Sequence, residues 1–179
     1  MANYFKKSFI IGIIAGSLLS LSFLGYLYYI TEKNTALSKE MSKSKTFKDL
    51  KIKLTDLNGN TVDLTKFSDK TIFINFWATW CAPCMEEMPV FQKVYNDKEI
   101  RDKYVFILVA DHDAKIIQNF KAKKGYDFIF VKSEVDLKSK LGALPTTYIL
   151  DNSLHIIFTK TGSFQNDSEL RKVLNQNSK

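Results

Sequence analysis

The sequence predicts an α/β fold: a central mixed β-sheet with helices on both faces, extended at its start by an N-terminal β-hairpin and preceded by one transmembrane helix. Three stretches carry this expectation. Thr71 to Trp77 is a continuous β-branched and aromatic run, suited to a strand covered on both sides. Met85 to Tyr95 has helical apolar spacing, with Pro89 placed to kink it, and Tyr104 to Ala110 is a second buried strand. Strand, helix and strand imply a parallel pair joined by a right-handed crossover. Far upstream, Phe9 to Ile30 runs for 22 residues without a charge.

The length of 179 residues suits one domain plus an appendage, and a hydrophobic content of 45% supports a proper core. Lys6 and Lys7 precede the uncharged run, which as a helix would span about 33 Å, one bilayer crossing. Phe23, Tyr26, Tyr28 and Tyr29 crowd its far end, as expected at a membrane–water interface. The short basic end assigns residues 1–8 to the cytoplasm, 9–30 to the anchor, and everything after it to the extracytoplasmic side of the cell membrane. A cleaved signal peptide is the alternative, but Ser20-Leu21-Ser22 is a poor cleavage site and the apolar run continues well past it. No cysteine lies nearby to carry a lipid. Residues 31–46, rich in Lys, Ser, Thr and Glu, read as a linker, with a short exposed helix through Ala36 to Met41 as the alternative. Such a tether restricts reach to partners near the same membrane.

The domain is expected over 47–179. Leu50, Ile52 and Leu54 alternate, Asp56-Leu57-Asn58-Gly59-Asn60 supplies turn chemistry, and Val62 and Leu64 alternate again, which predicts the N-terminal hairpin. After the second buried strand, Ala114 to Lys124 is a helix stopped at Gly125. Asp127 to Val131 is a short strand, and Val135 to Leu141 a short helix stopped at Gly142. Thr146 to Leu150 and His155 to Thr161 are strands joined at Asp151-Asn152-Ser153, and Ser168 to Leu174 closes the chain as a helix.

Cys81 and Cys84 are the only two cysteines. At the start of a helix, unpaired N–H groups and the helix dipole favour a thiolate at Cys81, and Cys84 lies one turn on along the same face. That spacing predicts dithiol chemistry, with Cys81 attacking a disulfide and Cys84 resolving the mixed disulfide. Pro83 in the first turn fixes the geometry without wasting a backbone donor.

The stretch Phe76-Trp77-Ala78-Thr79-Trp80-Cys81-Ala82-Pro83-Cys84-Met85-Glu86-Glu87-Met88-Pro89 resembles the TlpA/ResA-like branch of the thioredoxin superfamily. The similarity runs roughly from Phe47 to the C-terminus and includes Leu144-Pro145-Thr146. It implies a thioredoxin-like fold and a membrane-anchored thiol–disulfide oxidoreductase that needs no cofactor. It also implies a cis Pro145, with Leu144 offering backbone groups to an extended substrate strand. Trp80 and Pro83 are expected in the docking surface, a core role being the alternative for Trp80. Asn75 departs from thioredoxin itself, which carries a buried Asp there; Asn cannot titrate, so proton handling falls to water or another acid. Glu86 and Glu87 are the nearest candidates, the alternative being that both simply favour the first half of the helix or face water. The partners implied are disulfide-containing extracytoplasmic proteins, such as apocytochromes c, and a membrane electron donor for re-reduction.

Other function classes are disfavoured by charge and spacing. Of the formal net charge of +7, most lies in the first 48 residues, which hold seven Lys against Glu32 and Glu40 and leave about +2 for the domain. The basicity sits at the membrane end, which argues against nucleic-acid binding, since that wants a basic face on the folded domain. A structural zinc site would need further ligands, and His112 and His155 stand at no metal-ligand spacing. The alternative function is a copper chaperone-like metal-handling module using the two thiolates.

Overall fold

The structure, a computed structural model, describes residues 17, 19–32 and 45–178. The chain divides into two compact units, Met1–Met41 and Ser42–Lys179. In the first, residues 19–32 are helical, with Leu19, Leu21, Phe23 and Leu24 among the exposed side chains. Among the described residues no helix is long and apolar enough to cross a membrane. Residues 1–8, residues 9–16 and 18 of the expected span, and residues 33–44 of the expected linker lie outside the described residues.

The second unit contains β1 (Leu54–Thr55), β2 (Thr71–Phe76), α1 (Ala82–Tyr95), α2 (Lys98–Lys103), β3 (Tyr104–Ala110) and α3 (Ala114–Lys124). It continues with β4 (Ile129–Ser133), α4 (Leu137–Leu141), β5 (Thr146–Leu150), β6 (Ile156–Thr161) and α5 (Asp167–Asn177). The strands form one mixed sheet in the order β1-β4-β3-β2-β5-β6. β2, β3 and β4 are parallel neighbours, while β5 on β2, β6 on β5 and β1 on β4 are antiparallel. Two successive crossovers step in the same direction across the sheet, so the right-handed rule puts α1 and α3 on one face.

The core follows from the two-residue period of the central strands. Phe73, Tyr104, Phe106 and Leu108 point to one cluster, with Met88 and Phe91 of α1, Ile117 of α3, and Leu170 and Leu174 of α5. Ile72, Ile74, Phe76, Val105, Ile107 and Val109 point to the other, with Leu137 of α4 and with Phe47 and Leu64. Both faces being covered is why these strands carry no polar alternation. Phe73 anchors the first cluster, stacked on Phe106 at 4.3 Å between ring centroids and edge-on to Phe91 at 5.1 Å.

The N-terminal hairpin is much smaller than its alternation predicts. The turn forms: the Asp56 carboxylate accepts the N–H groups of Asn58 and Asn60, and Val62 N–H donates to Leu54 O at 3.0 Å. The arms, however, do not extend. Phe47–Leu50 curls into a 3₁₀ turn because Asp49 turns back to accept the Thr46 N–H at 2.8 Å, and Lys51 then adopts a left-handed conformation. On the far side Asp63 caps a second 3₁₀ turn, Leu64–Phe67, by accepting Thr65 N–H. Local side-chain caps thus outcompete the extended conformation, and β1 finds its ladder on β4 instead.

Helix α2 is absent from the sequence expectation. It buries only Ile100 and so gives no periodic signal; it is set by Asp97, which accepts Glu99 N–H. The end of α3 falls as expected, at Gly125 with φ +66° and its N–H donating to Lys121 O. An added Cβ would meet nothing within 4 Å, so Gly125→Ala should pay only the left-handed penalty, about 1 kcal/mol. The urea midpoint of the variant should fall accordingly, with an unchanged slope.

Candidate active site

The end of β2 and the start of β5 meet in register at Phe76 and Thr146. Everything following Phe76, and everything preceding Thr146, therefore emerges at one end of the sheet. Trp77 is held there by its N–H to Val109 O at 2.9 Å and is fully buried, whereas Thr79 and Trp80 are exposed. Cys81 is the N-cap of α1, its N–H donating to Ala78 O and its own carbonyl accepting the first helical bond from Met85. Pro83 fits the first turn because no intrahelical partner is lost there.

Cys81 and Cys84 form a disulfide, with Cα atoms 5.3 Å apart. Their exposures differ: Cys81 retains 5% and Cys84 none. An incoming sulfur can reach the pair only at Cys81. The N-terminus of a 14-residue helix then offers free N–H groups and the positive end of the dipole to the thiolate left by reduction.

The Leu144–Pro145 peptide is cis, immediately before β5. Pro145 is buried, its carbonyl accepting Gly162 N–H at 2.9 Å, and Leu144 is half-buried. Trp80 is 59% exposed, so the core role weighed for it belongs to Trp77. The Lys138 ammonium stands 5.8 Å from the centre of the Trp80 ring.

The two glutamates part company. Glu86 is exposed, but Glu87 is entirely buried, one turn beyond Cys84 on the same face of α1. Oε1 accepts from Asn75 Nδ2 at 2.9 Å, and Oε2 accepts from the Phe164 N–H at 3.0 Å. Burial pushes the carboxyl up to about 7, against the two hydrogen bonds and Lys160, which favour the anion; Glu169 adds to the rise. Asn75 also donates to Thr147 Oγ1 at 3.0 Å, while its Oδ1 has no hydrogen-bond partner among the described residues. Thr147 and Phe164 carry no sequence signal of this kind; only the antiparallel β5 and the loop before α5 bring them to β2 and α1.

Neither histidine joins the cysteines. His155 sits in the β5–β6 turn at the opposite end of the sheet, beside Asp151. His112 is nearer, but its Nε2 accepts the Thr79 N–H at 3.0 Å. Among the described residues no three His, Cys, Asp or Glu side chains cluster as metal ligands.

Comparison with known proteins agrees with this architecture. The redoxin family model matches residues 42–174. The thiol-disulfide oxidoreductase ResA of Bacillus cereus is 32% identical over 110 residues, covering 58% of this chain and 62% of the relative. The match to this relative thus spans less than two thirds of its length. ResA of Halalkalibacterium halodurans is 27% identical over 145 residues, covering 78% of each chain. A DsbF homologue from Corynebacterium diphtheriae superposes with a TM-score of 0.57 at 24% identity, over 70% of this chain and 85% of that one, a likeness of fold. With the motif at the head of α1, the cis-proline before β5 and the family match over both, the chain belongs to the redoxin family, as a ResA/TlpA-like member of the thioredoxin superfamily.

Proposed function

We propose that this chain is a membrane-anchored thiol–disulfide oxidoreductase that reduces disulfides of specific extracytoplasmic partners through Cys81 and Cys84. The observation that carries the reading is the asymmetric disulfide at the head of α1, open at Cys81 and closed at Cys84. Starting from the dithiol, the Cys81 thiolate attacks one sulfur of the partner disulfide, forming a mixed disulfide and releasing one partner thiolate. The Cys84 thiolate then attacks the Cys81 sulfur, closing the intrachain disulfide and releasing the second. Two electrons pass to the partner, and a membrane electron donor restores the dithiol.

Trp80, Pro83 and Leu144 form the docking surface in this reading, with the buried cis Pro145 fixing the backbone beneath it and Leu144 offering backbone groups to an extended segment. Glu87 handles the proton of Cys84. Asn75 serves both of its states: Nδ2 donates to the carboxylate, and a turn of the amide would present Oδ1 to a protonated carboxyl.

The anchor is Phe9–Ile30, with residues 1–8 in the cytoplasm. The exposed Leu and Phe side chains of residues 19–32 support it, since water offers them no partner and lipid does. The disulfide formed between the heme-site cysteines of an apocytochrome c, reduced to the two thiols, is the substrate class the ResA resemblance suggests. The test is the reduction potential of the Cys81–Cys84 couple, by thiol trapping in glutathione or dithiothreitol buffers. A value near about −270 mV is expected for a reductant, and one near about −120 mV would make the chain a disulfide donor instead. A membrane-impermeant thiol reagent applied to intact cells should modify reduced Cys81; protection until lysis would overturn the proposed side.

A further inference from the structure

We infer that Asp111 and His112, in the loop between β3 and α3, are positioning residues that hold the partner-docking rim of the site; the inference rests on the dithiol reading above. The two adjacent side chains grip the two separate pieces of chain that frame Trp80. His112 Nε2 accepts the Thr79 N–H at 3.0 Å, fixing the exposed turn that leads into Cys81. Asp111 Oδ2 accepts the N–H of Leu137, the first residue of α4, at 2.8 Å. Helix α4 carries Lys138 toward the Trp80 ring and ends at Gly142, two residues before Leu144 and the cis Pro145.

The grip is needed because both pieces are otherwise weakly held. Thr79 and Trp80 are exposed, and α4 is a single short helix of five residues that buries only Leu137. An aromatic side chain that is mostly in water loses rotational freedom when a partner docks, and that cost falls if its backbone is already fixed. The two anchors descend from β3, a fully buried central strand, so the rim inherits the rigidity of the sheet. The Thr79 N–H bond requires an acceptor at the ε position of residue 112.

A docking role and a chemical role separate by substrate. With the full chain, reduction of insulin, a protein disulfide, is compared with reduction of oxidised glutathione, which is too small to use the rim. His112→Ala should raise KM for insulin about fivefold or more with kcat little changed, since the Nε2 contacts to the Thr79 N–H and Oγ1 are both lost. Its rate with oxidised glutathione should match the wild type. His112→Gln, whose Oε1 can accept at the same reach, should restore KM. Equal KM for all three proteins on insulin overturns the inference alone, as does an equal loss on both substrates, which would place the effect on the cysteines. A wild-type chain that reduces neither substrate overturns the dithiol reading and this inference together.

Discussion

Replacing Cys81 by Ser is expected to reduce disulfide exchange to the uncatalysed background, whereas replacing Cys84 by Ser should leave the first step intact and stop the second. The difference follows from burial. Cys81 is the only sulfur of the pair that an outside disulfide can reach, and it stands where the helix N-terminus stabilises a thiolate. Without it the fully buried Cys84 has no route to a partner. With Cys84→Ser, the mixed disulfide at Cys81 has no internal sulfur to displace it, so partners should accumulate as covalent adducts that dithiothreitol releases. Non-reducing gels followed by mass spectrometry would show them and would also identify the substrates. A Cys84→Ser variant that turns over normally, or a Cys81→Ser variant that traps partners, would reverse the assignment.

Glu87 should make the fold itself sensitive to pH. Its carboxyl ionises near 4.5 when unfolded and is pushed up to about 7 by burial when folded. Below about pH 4.5 both states hold the proton and the group contributes nothing to the pH dependence. Between 4.5 and 7 the unfolded chain releases it while the folded one keeps it, so stability falls as pH rises, and above 7 the fall is complete. A separation of that size corresponds to about 3 kcal/mol. Glu87→Gln removes the titration. The stability of the wild type relative to this variant should therefore decline by about 3 kcal/mol from pH 4 to pH 8, measured by urea unfolding of the oxidised protein at each pH. Parallel curves would show that Glu87 does not hold its proton in the fold.

The contrast between Glu86 and Glu87 shows where the sequence could be read and where it could not. Cys84, Glu87, Met88, Phe91 and Val94 share one face of α1, at helical spacing, and all are buried. A carboxylate on that stripe is visible in the sequence once the stripe is drawn through Cys84, although favourable placement early in a helix explains either glutamate equally well. The acid's partners were not legible, because Asn75 and Phe164 reach it across 12 and 77 residues of chain. The buried strands were legible for the opposite reason: a strand covered on both faces announces itself in its own residues. Around Phe47 and Leu64 the apolar alternation was real, but the polar residues between, Asp49 and Asp63, bond to nearby backbone and win. His112 gave no signal at all, since a lone histidine after a strand has no pattern to belong to.

The hydrogen bond that the Phe164 N–H gives Glu87 bears on how the protein is made. The ribosome delivers β2 and α1, with both cysteines, before β5, and the residue that completes the acid's hydrogen bonds comes later still. Until then the central strand has an open edge, and the dithiol rests in a half-built sheet, in whatever redox environment surrounds the emerging chain. Contacts this distant in sequence also carry a loop-closure cost that local ones do not. The reactive pair is thus synthesised early and the surroundings of its acid are completed late; the disulfide within the pair is already the native one, so only a bond to another molecule's thiol, formed in the interval, must be undone before the loop closes.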